Sequence, residues 1–306
     1  MSTPRTIVEY LEQLRAALRG ADPALIQDAL YDAEEHLRAE LADQPDRDEA
    51  TMLEHVVGSY GAPDEVADIY RDQEIKIQRA IRTPAPAPRR SLVGRFFGVA
   101  ADPHTYGALF YMVLALATGI FYFTWAVTGV SLSAGLSVLI IGIPFVVLFL
   151  GSVRALSLLE GRIVEVMLGV RMPRRPPYPV QQGLSLMKRI GAMFIDGRTW
   201  GTLFYMLLML PLGIAYFTFT VTLLSISVAF IGAPLTMLIR PDWLDGLYVN
   251  HQISVDWGFG THVPGWGDWI AMCLVGILLL FATLHAVRAL GRMHGQIAKH
   301  LLVRGS

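Results

Sequence analysis

Between Pro103 and Val153 the chain carries no Asp, Glu, Lys or Arg. Two apolar runs fill this stretch, from about Gly107 to Val130 and from about Ala134 to Val153. A helix of about 20 apolar residues crosses a bilayer, and lipid accepts only structures whose backbone polar groups are satisfied internally. The stretch therefore predicts a transmembrane helical hairpin that turns near Val130-Ser131-Leu132-Ser133.

The hairpin is written twice. Thr105-Tyr106-Gly107 and Leu109-Phe110-Tyr111-Met112 return as Thr199-Trp200-Gly201 and Leu203-Phe204-Tyr205-Met206. Gly119-Ile120, then Tyr122-Phe123-Thr124, return as Gly213-Ile214, then Tyr216-Phe217-Thr218. Gly142-Ile143-Pro144 returns as Gly232-Ala233-Pro234, and Val153-Arg154-Ala155-Leu156 as Val287-Arg288-Ala289-Leu290. So many matches in one order indicate an internal duplication, with an insertion of roughly 235–278 in the second copy.

Basic residues set the expected orientation. After residue 83 every Lys and Arg except Arg240 falls in 89–95, 154–198 or 288–304, which places those segments in the cytoplasm. Arg240 to Asp268, with one Arg and four Asp, then faces outward. Four spans fit: about 106–129, 134–154, 202–225 and 268–288, with both termini inside. The two units run the same way, which makes them parallel repeats. Val228 to Ile239 is too short for a further span. It is expected to break at Gly232 and Pro234 and to lie at the outer surface or as a shallow re-entrant piece. Leu156–Val170 and Leu290–Val303 read as interfacial amphipathic helices on the cytoplasmic face, with Arg162, Arg171, Arg174 and Arg175 on the polar side of the first.

The chain of 306 residues is 53% hydrophobic, which suits a polytopic membrane protein, and its formal charge of −1 hides an asymmetry. Residues 1–83 hold 9 Lys and Arg against 18 Asp and Glu, leaving 16 and 8 for the rest: −9 against +8. That acidic balance excludes a phosphate-binding nucleic-acid surface in the first part. No apolar segment precedes residue 105, so no cleavable signal peptide is expected. The lone Cys273 lies in an apolar run and has no intrachain partner.

Residues 5–83 carry helical periodicity: Ile7, Val8, Leu11, Leu14, Leu18; then Leu25, Ile26, Leu30, Ala33, Leu37, Leu41 after an Asp22-Pro23 start; then Met52, Val56, Val57; then Val66, Ile69, Tyr70 after Gly61-Ala62-Pro63-Asp64. A small helical domain of four helices follows. The order Tyr10-Leu11, Leu14, Leu18, then Glu35-His36, then Gly58-Ser59-Tyr60-Gly61-Ala62-Pro63-Asp64-Glu65-Val66-Ala67 resembles the HAAS signalling domain of bacterial regulatory membrane proteins. His36 has no second ligand at metal spacing and reads as a surface or packing residue. Residues 84–90 form a Pro/Ala linker, and Ser91–Ala101 reads as an amphipathic segment on the membrane surface.

Asp102-Pro103, Thr105-Tyr106, Asp196, Thr199-Trp200, Leu210-Pro211-Leu212-Gly213-Ile214-Ala215-Tyr216-Phe217, the paired Gly-x-Pro and the Arg-Ala-Leu exits resemble the bacterial sensor membrane domain that often precedes histidine-kinase modules in actinobacteria. The resemblance covers about 95–304. It departs from that pattern in having no kinase glycine boxes and no phosphoacceptor helix within the chain.

The expected architecture is thus all-α: a small soluble helical domain (1–83), a linker (84–90), membrane repeat 1 (91–183) and membrane repeat 2 (184–306). Gly119, Gly213, Pro144, Pro234, Arg154 and Arg288 are its structural repeat motif. The candidate ligand site is the outward insertion, where Asp242, Trp243, Tyr248, His251, Asp256, Trp257, His262 and Trp266 crowd acidic, imidazole and aromatic groups suited to a cation, a cationic peptide or a lipid headgroup. An ordered interfacial cap explains the same residues, and the spacing His251, Asp256, His262 matches no metal signature. Within the spans Tyr111, Tyr205, Tyr122, Tyr216, Thr124, Thr218, Thr128 and Thr222 read as helix-to-helix hydrogen-bond glue. No carboxylate is expected inside a span.

No enzymatic motif, cofactor or metal site is read. The expected function is a non-enzymatic inner-membrane sensor that relays an envelope signal to a cytoplasmic partner. The HAAS resemblance implies a PadR-like regulator or a kinase as that partner. Membrane lipid is the other partner, direct nucleic-acid binding is not expected, and homo-oligomerisation is left open. The rivals are a transport accessory or permease subunit, and a lipid-modifying enzyme using His251 or His262. A topology reporter fused near Asn250 is expected to be active only outside the cytoplasm; cytoplasmic labelling there would overturn the four-span scheme.

Overall fold

The computed structural model describes residues 4–43, 48–81, 91–139, 142–173, 197–239, 255–256, 261–262 and 266–303. By packing the chain divides into two units, one comprising 1–85, 120–210 and 292–306, the other 86–119 and 211–291.

Within the first unit the N-terminal helices are α1 (Ile7–Ala17), α2 (Pro23–Asp43), α3 (Glu49–Ser59) and α4 (Pro63–Ile81). Their boundaries follow from local chemistry. Thr6 caps α1, its hydroxyl accepting from the Glu9 N–H. Gly20 takes a positive φ of 82° after α1, and the Asp22 carboxylate accepts from the Ala24 N–H at the start of α2. At the corner before α4, Gly61 has φ 111°, and Glu65 reaches back to the Ala62 N–H at 3.0 Å. This is half of a capping box, with Pro63 at the first helical position, where its missing N–H costs nothing. Tyr10 is fully buried and donates its hydroxyl to the Gly61 carbonyl at 2.9 Å, tying α1 to that corner. Leu14, Leu18, Leu37, Met52 and Leu53 fill the core around it. His36 stacks on the Tyr60 ring, a packing role as expected.

Four described helices are long and apolar enough to cross a membrane. They are α6 (Pro103–Leu136), α7 (Gly142–Leu168), α8 (Gly197–Ile239) and α9 (Trp266–Leu302), preceded by the short α5 (Leu92–Phe97) and a 3₁₀ turn at Gly98–Ala101. Three sequence expectations are corrected here. The hairpin does not turn at Val130–Ser133: α6 runs on to Leu136 and the bend follows at Ser137–Leu139. Val228–Ile239 is not a separate broken piece: α8 is one helix of 43 residues, about 65 Å long. A break at Gly232 would have left backbone groups unpaired, whereas a continuous helix forfeits only the bond that Pro234 cannot donate. Helix α9 supports α8 there, since a Cβ on Gly276 would stand 2.8 Å from the Phe230 side chain. Finally, Leu156–Val170 and Leu290–Val303 are not independent surface helices. Leu156 and Leu290 lie within α7 and α9, which continue without interruption to Leu168 and Leu302.

Of the repeat glycines, Gly213 sits at a close approach. Gly119 and Gly213 are buried, and a Cβ on Gly213 would run into the Ala115 carbonyl of α6. The Gly-x-Pro pair is used in two ways: Pro144 lies in the first turn of α7, Pro234 inside α8. Asp102 caps α6 by accepting from the His104 N–H and pairs with Arg288 of α9, which explains two motif residues at once. His285 holds the α5 segment, its Nε2 3.0 Å from the Phe96 carbonyl with the two rings stacked. A short antiparallel pair, β1 (Val255–Asp256) and β2 (Thr261–His262), lies in the insertion.

Burial, with Tyr60, Glu65 and Asp64 nearby, raises the Tyr10 pKa well above its ordinary value, and burial with Tyr60 and Asp32 does the same for Tyr70, which donates to Asp32 at 3.0 Å. A folded-state pKa raised above the unfolded value gives stability that is complete below about pH 10 and is lost as pH rises through the folded value. The N-terminal helices are therefore expected to unfold in alkali as these phenols ionise. Phenolate absorbance of the full chain, compared with Tyr10→Phe and Tyr70→Phe, checks this; early ionisation of either phenol without unfolding would contradict it.

Candidate functional site

Two buried polar centres lie in the first packing unit. The first is assembled by one residue from each membrane helix: Tyr122 of α6, Glu160 of α7, Tyr205 of α8 and His294 of α9. Glu160 is 1% exposed. Tyr122 donates to its Oε2 at 2.9 Å and Tyr205 to its Oε1 at 2.9 Å. His294 Nε2 stands 3.0 Å from the same Tyr205 hydroxyl, and its ring is fully buried. A buried carboxylate is tolerated only when hydrogen-bonded, and two phenols supply that here. The expectation of no carboxylate inside a span concerned residues up to Arg154; Glu160 lies where α7 continues past that point. Tyr122 and Tyr205 do bond between helices, as the sequence suggested, but their acceptor is an acid.

Sequence reasoning ended the spans at Arg154 and Arg288 and so left out Glu160 and His294, six residues further on. A signal was present. The offset that superposes Val153-Arg154-Ala155-Leu156 on Val287-Arg288-Ala289-Leu290 also superposes Glu160 on His294. The two copies hold an acid and an imidazole at one equivalent position.

The second centre follows the end of α7. Gly169 adopts a positive φ of 68°, and its N–H bonds the Glu165 carbonyl, a left-handed helix cap. The chain then folds back. Val170 fills a notch at Gly295 of α9, where a Cβ would clash with it, and Met172 covers Gly161 of α7. Arg171, between them, points into the N-terminal helices. Its guanidinium is 8% exposed and meets three carboxylates. Nε donates to Glu74 of α4 at 3.2 Å, Nη2 to Asp28 of α2 at 3.2 Å, and Nη1 to Glu165 of α7 at 3.1 Å. Arg162 donates to the other oxygen of Glu165 at 2.9 Å. Burial alone would lower the Arg171 pKa; Glu74, Asp28 and Glu165 outweigh it and raise it. Lys299 of α9 adds a second tie, to the Asp22 carboxylate that also caps α2. The expected place of Arg171 on the polar side of an interfacial helix is corrected: it follows the end of α7, and the acids of the N-terminal domain are a stronger attraction for it than water at an interface.

Of the ligand candidates read from the sequence, Asp242, Trp243, Tyr248, His251 and Trp257 lie outside the described residues. Asp256 is in β1 and His262 in β2, on the paired strands, and Trp266 opens α9 with 69% exposure. Among the described residues no group of three His, Cys, Asp or Glu could hold a metal.

These features define a helical multi-pass membrane protein with an N-terminal helical domain docked, within one packing unit, on the ends of two membrane helices. The chain belongs to the family described as "Putative sensor", whose model matches residues 111–302. A second family model, HAAS, matches residues 9–68, so the chain fuses a HAAS domain to a sensor domain and has a sensor or signalling role. No curated protein and no solved structure gave a significant match.

Arg171→Met would leave Asp28, Glu74 and Glu165 buried without their shared counter-charge, a loss of roughly 3 kcal/mol or more. Amide exchange in α2 around Asp28 and in α4 around Glu74 is expected to accelerate by about a hundredfold while the Tyr10 core of α1 stays protected. Unchanged exchange would show that the junction contributes nothing to docking.

Proposed function

We propose that the chain is a non-enzymatic signalling protein of the bacterial inner membrane, with both termini in the cytoplasm. It relays a change in its membrane helices to a cytoplasmic partner through the N-terminal helical domain. The observation that carries this reading is the Arg171 junction: one guanidinium shared between α7 of the membrane domain and α2 and α4 of the HAAS domain. Any shift or rotation of α7 that moves Glu165 or the Gly169 turn alters what holds α2 and α4. A relay requires two domains that touch through a few specific contacts, and ion pairs between opposite net charges suit a contact that is made and broken. The excess of basic residues on the segments taken as cytoplasmic supports the orientation. A PadR-like regulator or a kinase is the partner class, and the outward insertion with Asp242, Trp243, Tyr248, His251, Asp256, Trp257, His262 and Trp266 is the proposed ligand-receiving end.

A transport accessory or permease subunit is the second reading, favoured by the buried Glu160, since intramembrane carboxylates often mark ion paths. Crosslinked pull-down from native membranes separates the two. The full chain is compared with Arg171→Met and with a chain lacking 1–83. A transcription regulator or kinase that is lost with 1–83, and whose capture changes with Arg171→Met, is the expected result. An ATPase or permease retained by all three would overturn the relay and assign the function to the membrane helices.

A further inference from the structure

The described contacts among Glu160, Tyr205 and His294 admit two proton arrangements on one set of heavy atoms. The Tyr205 hydroxyl has one hydrogen but lies within bonding distance of both Glu160 Oε1 and His294 Nε2. If Glu160 is a carboxylate it can only accept. Tyr205 then donates to Oε1, and His294 donates through Nε2–H to the Tyr205 oxygen. If Glu160 carries a hydrogen on Oε1, the row reverses: Glu160 donates to Tyr205, and Tyr205 donates to a bare Nε2. The second arrangement, with its hydrogen on Nδ1, holds one proton more than the first.

We infer that Tyr122, Glu160, Tyr205 and His294 form a proton-binding site in the membrane domain, filled by a relay along His294, Tyr205 and Glu160. One proton adds to Nδ1 of His294. The Nε2 hydrogen passes to the Tyr205 oxygen, and the Tyr205 hydrogen passes to Glu160 Oε1. One proton enters, the carboxylate becomes a carboxylic acid, and the imidazole ends neutral. Three hydrogens shift and no heavy atom has to travel. Among the described contacts, Glu160 meets Tyr122 from α6 and Tyr205 from α8, with His294 of α9 behind Tyr205. Along α7 the next charged side chains are Arg154 on one side and Arg162 and Glu165 on the other, the last two engaged at the Arg171 junction.

The site stands directly behind that junction. Glu160 and Glu165 are on one helix, about 7 Å apart along its axis. His294 adjoins Gly295, where Val170 seats, and precedes Lys299 by the same five residues. Neutralising Glu160 weakens its hold on two phenols and so loosens the polar tie among the four helices at the level from which α7 and α9 reach the HAAS domain. For this output the proposal rests on the relay reading; the proton site itself rests on the geometry alone.

The test is infrared difference spectroscopy of the full chain in lipid nanodiscs, titrated from about pH 4 to about pH 9, the range that buried carboxyls span. A carbonyl band of a protonated carboxylic acid is expected to appear as pH falls and to be absent in Glu160→Gln. Tyr205→Phe and His294→Gln, which keep the Glu160 carboxyl, are expected to displace its midpoint by about one pH unit or more. No titrating band in the parent chain, a band that survives Glu160→Gln, or an unmoved midpoint in Tyr205→Phe would each overturn the site. Amide exchange of α2 and α4 read across the same titration tests the link. Exchange that tracks the band supports it; exchange indifferent to the band overturns the coupling and leaves the relay reading to its own pull-down test.

Discussion

A guanidinium held away from water must be surrounded by counter-charge, and Arg171 obtains it from two domains at once. Asp28 and Glu74 come from the HAAS helices, Glu165 from the membrane helix that Arg171 follows. The arrangement would be a liability if stability were its only purpose, because desolvating several charges costs about as much as their attraction returns. What it provides is specificity. Only one placement of α2 and α4 against the end of α7 satisfies Nε, Nη1 and Nη2 together, and a lysine, with one point charge, could not fork in this way. The −9 and +8 halves of the sequence are in part the two sides of this contact, so some of the acidity of the first part is used within the chain.

Much of the fold was legible. Periodicity and caps located α1 to α4 within a few residues, because the Asp22-Pro23 and Gly61-Ala62-Pro63 signals are local and each satisfies backbone groups within its own turn. The charge-free runs located the four long helices for the same reason. Helix ends in the membrane domain were misread where the sequence offered residues that stop helices in water. Ser131, Ser133, Gly232 and Pro234 do so when solvent can take up the freed backbone groups. Beside Gly276 and α9, or within a 34-residue helix such as α6, continuing the helix is the better solution. Arg154 and Arg288 acted in the same direction: a charge marked the end of a span, and both helices run on past it.

The buried centres were harder to see, and for a definite reason. Neither is a motif in sequence. Glu160 is understood only when Tyr122 and Tyr205 converge on it from 38 and 45 residues away, and Arg171 only when Glu74 arrives from 97 away and Asp28 from 143. The duplication carried a partial signal through the Glu160–His294 correspondence. Tyr205 has its equivalent in Tyr111 and Tyr122 in Tyr216, yet the cluster takes one tyrosine from each copy. Helices α7 and α9 end at equivalent positions, Leu168 and Leu302, but the offset sets Gly305 opposite Arg171, so comparison of the repeats could not point to Arg171.

The contact of Lys299 with Asp22 joins segments that one polypeptide already holds together. Its strength is therefore set against a local concentration on the order of millimolar, as for modules joined by a short linker, and not against a dilute solution. Any partner that uses the same acids of α2 must compete with a cation that is always present. A weak partner would remain unbound until the internal contact loosens and would then bind over a narrow range of further loosening. The tether thus sets a threshold: small displacements of α9 against α2 are absorbed by redocking, and only those that outlast it free the Asp22 carboxylate.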